Sequence, residues 1–328
     1  MLSFNKESEK DVLIANVYAN DTAMKPTTGV WYLPRFSGAS KLVRDDLHEM
    51  LKYEKLRVLR QYGLTDEEYD QLVEMVREGG QISPDTDRTL KRAFMEIKVL
   101  VEKKLKKEIS FTDEDKAYLR INYDTTKKKT NYIVGIFGAS GSGKSYSVAQ
   151  LLLRDPALET YEMIYLIGSV GAEDVSYEPL KKRMFERFKY IHTGDMEAKD
   201  FDIKRYGNCA IIFDDIDSES SPKLRKKIQL FRDRCLQTAR HYSIRIINTA
   251  HLFNSYRETS KIRNSARWLF IFPRSIPHTL IQILTKSYNM KNAEALHLTN
   301  ICKRDGRLTV ISKNAPSFLM TAKRLILL

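Results

Sequence analysis

The stretch that decides the fold is residues 131–153, which read NYIVGIFGASGSGKSYSVAQLLL. Its first seven residues are apolar and β-rich, and its last eight have the apolar content of a helix. The eight residues between them, GASGSGKS, fit the pattern G-x-x-x-x-G-K-S/T at every position. Strand, loop and helix in this order are the setting in which the pattern binds phosphate. We therefore predict a nucleotide-binding P-loop, and set aside the alternative of a merely flexible Gly/Ser loop.

The residue types of this loop suit a nucleoside triphosphate with Mg²⁺. Glycines let the backbone turn tightly and point its N–H groups at phosphates, and the following helix adds its positive end. Lys144 is expected to reach the β- and γ-phosphates, and the Ser145 hydroxyl is expected to ligate Mg²⁺. The predicted nucleotide site consists of Gly138, Ala139, Ser140, Gly141, Ser142, Gly143, Lys144, Ser145 and Tyr146.

Two adjacent carboxylates follow a second apolar run. Residues 209–213 (CAIIF) read as a buried strand and end at Asp214 and Asp215. A carboxylate at the carboxyl end of such a strand predicts a magnesium ligand, which we assign to Asp214. Asp215 is expected to orient or deprotonate the attacking water. The alternative is an ordinary acidic turn at a strand end, since Asp217 and Glu219 follow.

Polar residues also end the next predicted strand, residues 243–249. Asn248, Thr249 and His251 are candidates for a sensor that touches the γ-phosphate or the water, with Thr249 and His251 best placed. Capping of the strand end explains these residues equally well, and the sequence leaves the two interpretations open.

Apolar runs alternate with helical segments after the P-loop, as a parallel sheet with crossover helices requires. We predict strands at residues 132–137, 163–168, 190–193, 210–214, 243–249 and 268–272, and then a hairpin of 307–312 and 317–327. Before the P-loop we predict helices at about 41–62, 65–77 and 84–105, a short one capped by Thr112, and a linker at 123–130. The predicted class is an α/β P-loop NTPase with a mainly parallel sheet flanked by helices, a small helical N-terminal domain and a C-terminal β-hairpin. The expected domains are 1–128 and 129–328.

Composition narrows the class of protein. A chain of 328 residues with 42% hydrophobic and 30% charged residues is typical of soluble globular proteins of about two domains. The sequence contains neither a window of the roughly 18–20 apolar residues that span a membrane nor a secretory leader pattern. The scattered cysteines, Cys209, Cys235 and Cys302, favour a reducing compartment and argue against a disulfide framework or a zinc site.

The positive charge lies in the half of the chain that carries the P-loop. Residues 131–328 hold 31 basic and 19 acidic residues, whereas residues 1–130 hold 24 and 23. Such an excess suggests a polyanionic partner, most simply nucleic acid bound through its phosphates without reading of sequence. The candidate contacts are a helix over 222–241 with Lys223, Arg225, Lys226, Lys227, Arg232 and Arg234, and a cluster of Lys181, Lys182, Arg183 and Arg187. A solvated helix face is the alternative for each.

Taken in order, these motifs resemble the genome-packaging ATPases of large DNA viruses, within the FtsK–HerA superfamily of DNA translocases. The resemblance covers about residues 131–312 and rests on GASGSGKS, on IIFDDID, on Ala239–Tyr242 (ARHY) leading into IRIINTAH, and on Arg263-Asn264 before RWLFIF. The chain departs from the pattern at His251, where the superfamily often has Gln, and at Asp215, where it often has Glu.

The resemblance implies a homo-oligomeric ring in which a neighbouring subunit supplies an arginine to the site. Arg263 is our first candidate, with Arg257 and Arg240 as alternatives. It further implies an ATP hydrolase with ATP and Mg²⁺ as cofactors, which moves double-stranded DNA into a capsid and has a capsid or portal partner. The expected location is the host-cell cytoplasm or a viral factory, with association to the virion. A nucleotide-dependent switch or assembly ATPase, or a helicase or translocase outside packaging, are the alternatives.

Overall fold

The computed structural model describes residues 2–19, 22–33, 55–104, 108–111, 118–121, 132–155, 157–169, 174–251, 260–314 and 316–328. The chain divides into two compact units, residues 1–122 with 324–327, and residues 123–323 with 328. Part of the first predicted helix (41–54), the helix at Thr112, the linker 123–130 and Arg257 lie outside the described residues. Among the described helices, none has the length and apolar content to cross a membrane.

The first unit combines helices with a small antiparallel sheet. Its elements are β1 (Leu2–Ser3), β2 (Val12–Tyr18), β3 (Thr28–Tyr32), α1 (55–61), α2 (Asp66–Arg77), α3 (Pro84–Lys104), β4 (Glu108–Ser110) and β5 (Tyr118–Ile121). The predicted capping box of α2 is present, because Thr65 and Glu68 bond to each other's backbone N–H groups. Leu59, Tyr69, Leu90 and Ala93 form the helical core.

Beside its helices this unit contains a four-stranded sheet, in the order β1-β3-β2-β5, which was not predicted from the sequence. A bulge between Leu13 and Ala15 shifts the register of β2 against β3. Because a bulge breaks the two-residue alternation that marks a strand, the sequence of β2 shows no clear period.

The second unit is an α/β domain. Its strands are β6 (Ile133–Phe137), β7 (Met163–Gly168), β8 (Phe188–His192), β9 (Cys209–Asp214), β10 (Arg245–Ala250), β11 (Trp268–Ile271), β12 (Thr309–Ser312) and β13 (Phe318–Met320). Its helices are α4 (Lys144–Leu153), α5 (Glu178–Met184), α6 (Pro222–Thr238), α7 (Ser260–Ser265), α8 (Pro277–Tyr288) and α9 (Asn292–Asp305). The remaining strand, β14 (Arg324–Leu327), belongs to the first unit and pairs with β4.

These eight strands lie side by side in the order β8-β7-β9-β10-β6-β11-β12-β13. The first six are parallel, and β12 and β13 add an antiparallel hairpin. This arrangement confirms the predicted class, and every residue of β9 and β10 is buried, as expected for central strands. The single strand predicted over 317–327 is wrong, because the Thr321 hydroxyl bonds to Asp305 and to the Lys323 N–H and turns the chain between β13 and β14.

A buried ion pair fixes the amino end of β10. Arg245 binds Asp155, which also accepts hydrogen bonds from the hydroxyls of Tyr132 at 2.7 Å and Tyr161 at 2.6 Å. The Arg245 guanidinium lies 4.8 and 4.7 Å from the centres of the same two tyrosine rings. The side chains of Arg245 and Asp155 are only 9% and 4% exposed, so each charge depends on these partners.

Candidate functional site

The carboxyl ends of the parallel strands meet at one edge of the sheet, where open α/β sheets bind their ligands. Strand β10 lies between β6, which leads into the glycine loop, and β9, which ends in Asp214. The order of the strands therefore places the end of β10 between the loop and the two aspartates. The sequence motifs alone do not reveal this order.

The glycine loop connects β6 directly to α4. Gly141 and Gly143 have φ values of 71° and 104°, in the left-handed region that glycine adopts without strain. A Cβ atom on Gly138 would lie 2.4 Å from the Ser142 hydroxyl oxygen and 2.8 Å from the Phe272 ring. The Ala139 N–H donates to the Ser275 hydroxyl at 3.3 Å, so the turn after β11 supports the loop from the side.

Lys144, the first residue of α4, turns its ammonium group back into the site. It is 5% exposed, and its Nζ lies 3.2 Å from the Ala139 carbonyl oxygen, 2.9 Å from His251 Nδ1 and 3.8 Å from Asp215 Oδ2. Burial lowers the pKa of Lys144, and the charges of Asp215 and Asp214 oppose that decrease. A desolvated ammonium at this position interacts strongly with any anion that enters the loop.

The two aspartates face different partners. Thr249 joins them, because its hydroxyl donates to Asp214 Oδ1 at 2.6 Å and accepts from the Asp215 N–H at 3.0 Å. Asp215 has φ 46°, a left-handed conformation that is uncommon for aspartate. Its Oδ2 lies 2.5 Å from His251 Nε2. Burial raises the pKa of both carboxyl groups; Thr249 and Tyr177 oppose the rise at Asp214, and Lys144 and His251 oppose it at Asp215.

Of the three sensor candidates, Thr249 and His251 reach the site and Asn248 does not. His251 touches both Lys144 and Asp215. The Asn248 side chain is fully buried and donates to the Thr249 carbonyl oxygen at 3.1 Å. Since side chains alternate along a strand, Asn248 lies on the opposite face of the sheet from Thr249.

Arg263 does not have the exposed setting that an arginine in a neighbour's site requires. Its side chain is buried in α7 at 4% exposure, and its carbonyl oxygen accepts a hydrogen bond of 2.6 Å from Lys313. Burial lowers the pKa of Lys313, and the nearby Arg263 charge adds to that decrease. Arg263 is therefore not retained in this role, whereas Arg240 is exposed.

The donor set near Ser145 fits a magnesium ion. Mg²⁺ prefers oxygen ligands such as carboxylates and water, and Ser145 and Asp214 supply oxygen atoms at this edge. Sequence reasoning missed two further residues there, Asp174 and Tyr177, which follow β7. The neighbouring position of β7 and β9 brings them to the site, and the sequence gives no sign of that pairing.

We expect Thr249→Val to lower the free energy of unfolding by about 1–3 kcal/mol, because the Asp214 carboxylate loses a buried donor and the Asp215 N–H loses its acceptor. Urea denaturation measures the change, and Thr249→Ser, which keeps the hydroxyl, is the matched control. Equal stability of the Val and Ser variants would contradict the bridging role of Thr249.

The glycine loop between strand and helix, with Lys144 and Ser145 on one side and Asp214 two strands away, defines the P-loop NTPase fold.

No family model matches the chain. Its sequence is similar to the "Uncharacterized protein V3" of the Sputnik virophage, 26% identical over 196 residues, which are 57% of this chain and 73% of that protein.

Two solved structures illustrate the structural comparison. One is the genome packaging NTPase B204 from Sulfolobus turreted icosahedral virus 2 with ATP-gammaS, at TM-score 0.38 and 18% identity over 59% of this chain and 97% of that one. The other is the cytoplasmic domain of the Thermomonospora curvata Type VII secretion ATPase EccC, at TM-score 0.38 and 11% identity over 65% of this chain and 28% of that one.

Proposed function

We propose that this chain hydrolyses ATP. The observation that carries the proposal is the convergence of Lys144, Asp214 and Asp215 at the glycine loop, with Thr249 and His251 between them. Ser145 and Asp214 would hold Mg²⁺, which when bound neutralises charge on the β- and γ-phosphates. Lys144 would neutralise the remaining phosphate charge.

Asp215 is suited to orient the attacking water. Its Oδ2 faces His251, whereas its buried Oδ1 has no hydrogen-bond partner among the described residues. A buried carboxylate oxygen without a partner is costly unless a ligand supplies a donor. A water molecule in line with the γ-phosphate would supply that donor, and His251 would register whether the phosphate is present through its contact with Lys144.

We further propose that hydrolysis drives the movement of double-stranded DNA, bound without sequence specificity. The exposed basic face of α6, formed by Lys223, Lys226, Lys227 and Arg234, supports this role. Other basic residues of the predicted contacts are engaged within the chain. Arg183 and Arg187 bind Glu159, Lys181 binds Glu178, and Arg232 is buried against Asp233.

The assembly that we propose is a homo-oligomeric ring in which an arginine from a neighbour, with Arg240 or Arg257 as candidates, completes the site. In its most specific form, the proposal is that the ring packages a viral genome into a capsid, with a capsid or portal protein as its partner. The expected location is the host cytoplasm or viral factory, in association with the virion. The relative from a virophage supports a viral setting.

The proposal predicts that long double-stranded DNA raises the steady-state ATPase rate several-fold at ~50 mM salt and much less at ~200 mM, because contacts to phosphates weaken steeply with salt. Charge reversal at Lys223, Lys226 and Arg234 together should remove the stimulation. The matched control is neutralisation of Lys181, Arg183 and Arg187, whose partners are carboxylates. A rate indifferent to DNA at both salt concentrations would contradict the DNA motor and favour a nucleotide-dependent switch.

A further inference from the structure

The chain between β7 and α5 brings two side chains to the magnesium ligands that we propose. A 3-10 turn, Val175–Tyr177, precedes α5 and packs against α4, the helix that carries Ser145. Asp174 caps this turn, since its carboxylate accepts a hydrogen bond of 2.8 Å from the Ser176 N–H. The backbone position of Asp174 is therefore fixed by local geometry.

The hydroxyl of Tyr177 is buried without a partner. The Tyr177 side chain has 0% exposure, and its hydroxyl oxygen makes no hydrogen bond of ordinary geometry with any residue that the structure describes. Burial raises the pKa of Tyr177 well above its usual value, the nearby Asp214 charge raises it further, and the Ser145 hydroxyl opposes the rise. The hydroxyl is thus a buried polar atom in the turn that packs against α4, the helix of Ser145, and it is close enough to Ser145 and Asp214 to interact with both.

Asp174 adds a second carboxylate beside Ser145. Burial alone would raise the pKa of Asp174, but hydrogen bonds from Ser176 and Ser145 lower it, and so does the charge of Lys181. Ser145 is therefore within reach of both the Asp174 carboxylate and the Tyr177 hydroxyl. A buried hydroxyl without a partner costs free energy. Such a cost is recovered when a ligand brings polar atoms into reach.

We propose that Tyr177 and Asp174 are positioning residues of the magnesium site, which orient Ser145 and Asp214 and whose oxygen atoms would accept hydrogen bonds from waters of the bound ion. The proposal rests on the proposed nucleotide-binding function and adds residues that lie outside the glycine loop and the aspartate pair. Removal of a residue that holds a metal ligand in place typically weakens metal affinity by 10–100-fold.

The test is the binding of a fluorescent ATP analogue to Tyr177→Phe and Asp174→Asn, with Mg²⁺ and with EDTA. Phenylalanine keeps the ring packing, and asparagine keeps an acceptor for the Ser176 N–H. We expect the Mg²⁺ concentration for half-maximal binding to rise about 10–100-fold in each variant, with Kd in EDTA unchanged. Tyr165→Phe, which alters a half-buried tyrosine of β7 whose ring contacts Tyr206, is the matched control and should behave as wild type.

The possible outcomes separate this inference from the proposed function. Unchanged Mg²⁺ dependence in both variants, while the wild-type protein binds nucleotide, would overturn the inference and leave the function standing. Equal losses with Mg²⁺ and with EDTA would also overturn it, since the residues would then shape the pocket and not the metal site. A wild-type protein that binds no nucleotide under any condition would overturn both together. Thermal melting of each variant checks that the protein used in the binding assay is folded.

Discussion

Lys144→Ala is expected to lower kcat for ATP hydrolysis by roughly 10³-fold, which corresponds to about 4 kcal/mol of lost transition-state stabilisation. The reason is that the Lys144 ammonium is 5% exposed, so its attraction to phosphate is little screened by water. Alanine also removes the contact with His251 that links the loop to Asp215. The measurement is phosphate release at saturating ATP and Mg²⁺.

The matched control for this prediction is Lys261→Ala. Lys261 is an exposed lysine in the same unit that pairs with Asp233, and its loss should change kcat by less than twofold. If Lys144→Ala retained more than about a tenth of the wild-type rate, the site described above would not be the place of hydrolysis.

Asp155→Ala is expected to lower the free energy of unfolding by about 3–5 kcal/mol, because it leaves the buried Arg245 guanidinium without its counter-ion. For a domain of about 200 residues this loss lowers Tm by roughly 6–20 °C. The two tyrosine hydroxyls that donate to Asp155 lose their acceptor as well. Calorimetry or circular dichroism on heating measures the shift.

Two further variants make this prediction specific. Glu159→Ala removes an exposed carboxylate paired with Arg183 and Arg187, and should leave the free energy of unfolding almost unchanged. Asp155→Ala with Arg245→Met removes both charges, and should recover part of the loss, since an apolar pair avoids the desolvation of either ion. A double variant less stable than Asp155→Ala alone would mean that packing, and not the unpaired charge, governs the effect.

The features predicted most reliably from the sequence are those that depend on residues close together in the chain. The loop of residues 138–145 needs only its own glycines and flanking periodicity, and the ends of β6, β7, β9 and β11 fell within one residue of the prediction. The capping box at Thr65 is likewise local. Such motifs determine their own local structure, because their hydrogen bonds join residues only a few positions apart.

What the sequence could not show depends on contacts between distant segments. Arg263 is buried, and its carbonyl oxygen is bound by Lys313, fifty residues later in the chain. The place of Tyr177 beside Asp214 follows from the pairing of β7 with β9. That Thr249 faces the site and Asn248 does not depends on the register of β10 against β6 and β9.

Strand β10 has unlike ends, and this asymmetry constrains which parts of the site can move. At Arg245 the strand is anchored by a buried charge held between two aromatic rings, and along its length it bonds to β6 and β9. A strand anchored in this way cannot slide without breaking an ion pair inside the core. We therefore expect β10 to keep its place between β6 and β9 when a nucleotide binds, so that Thr249 and His251 respond by changes in their side-chain contacts and not by movement of the strand.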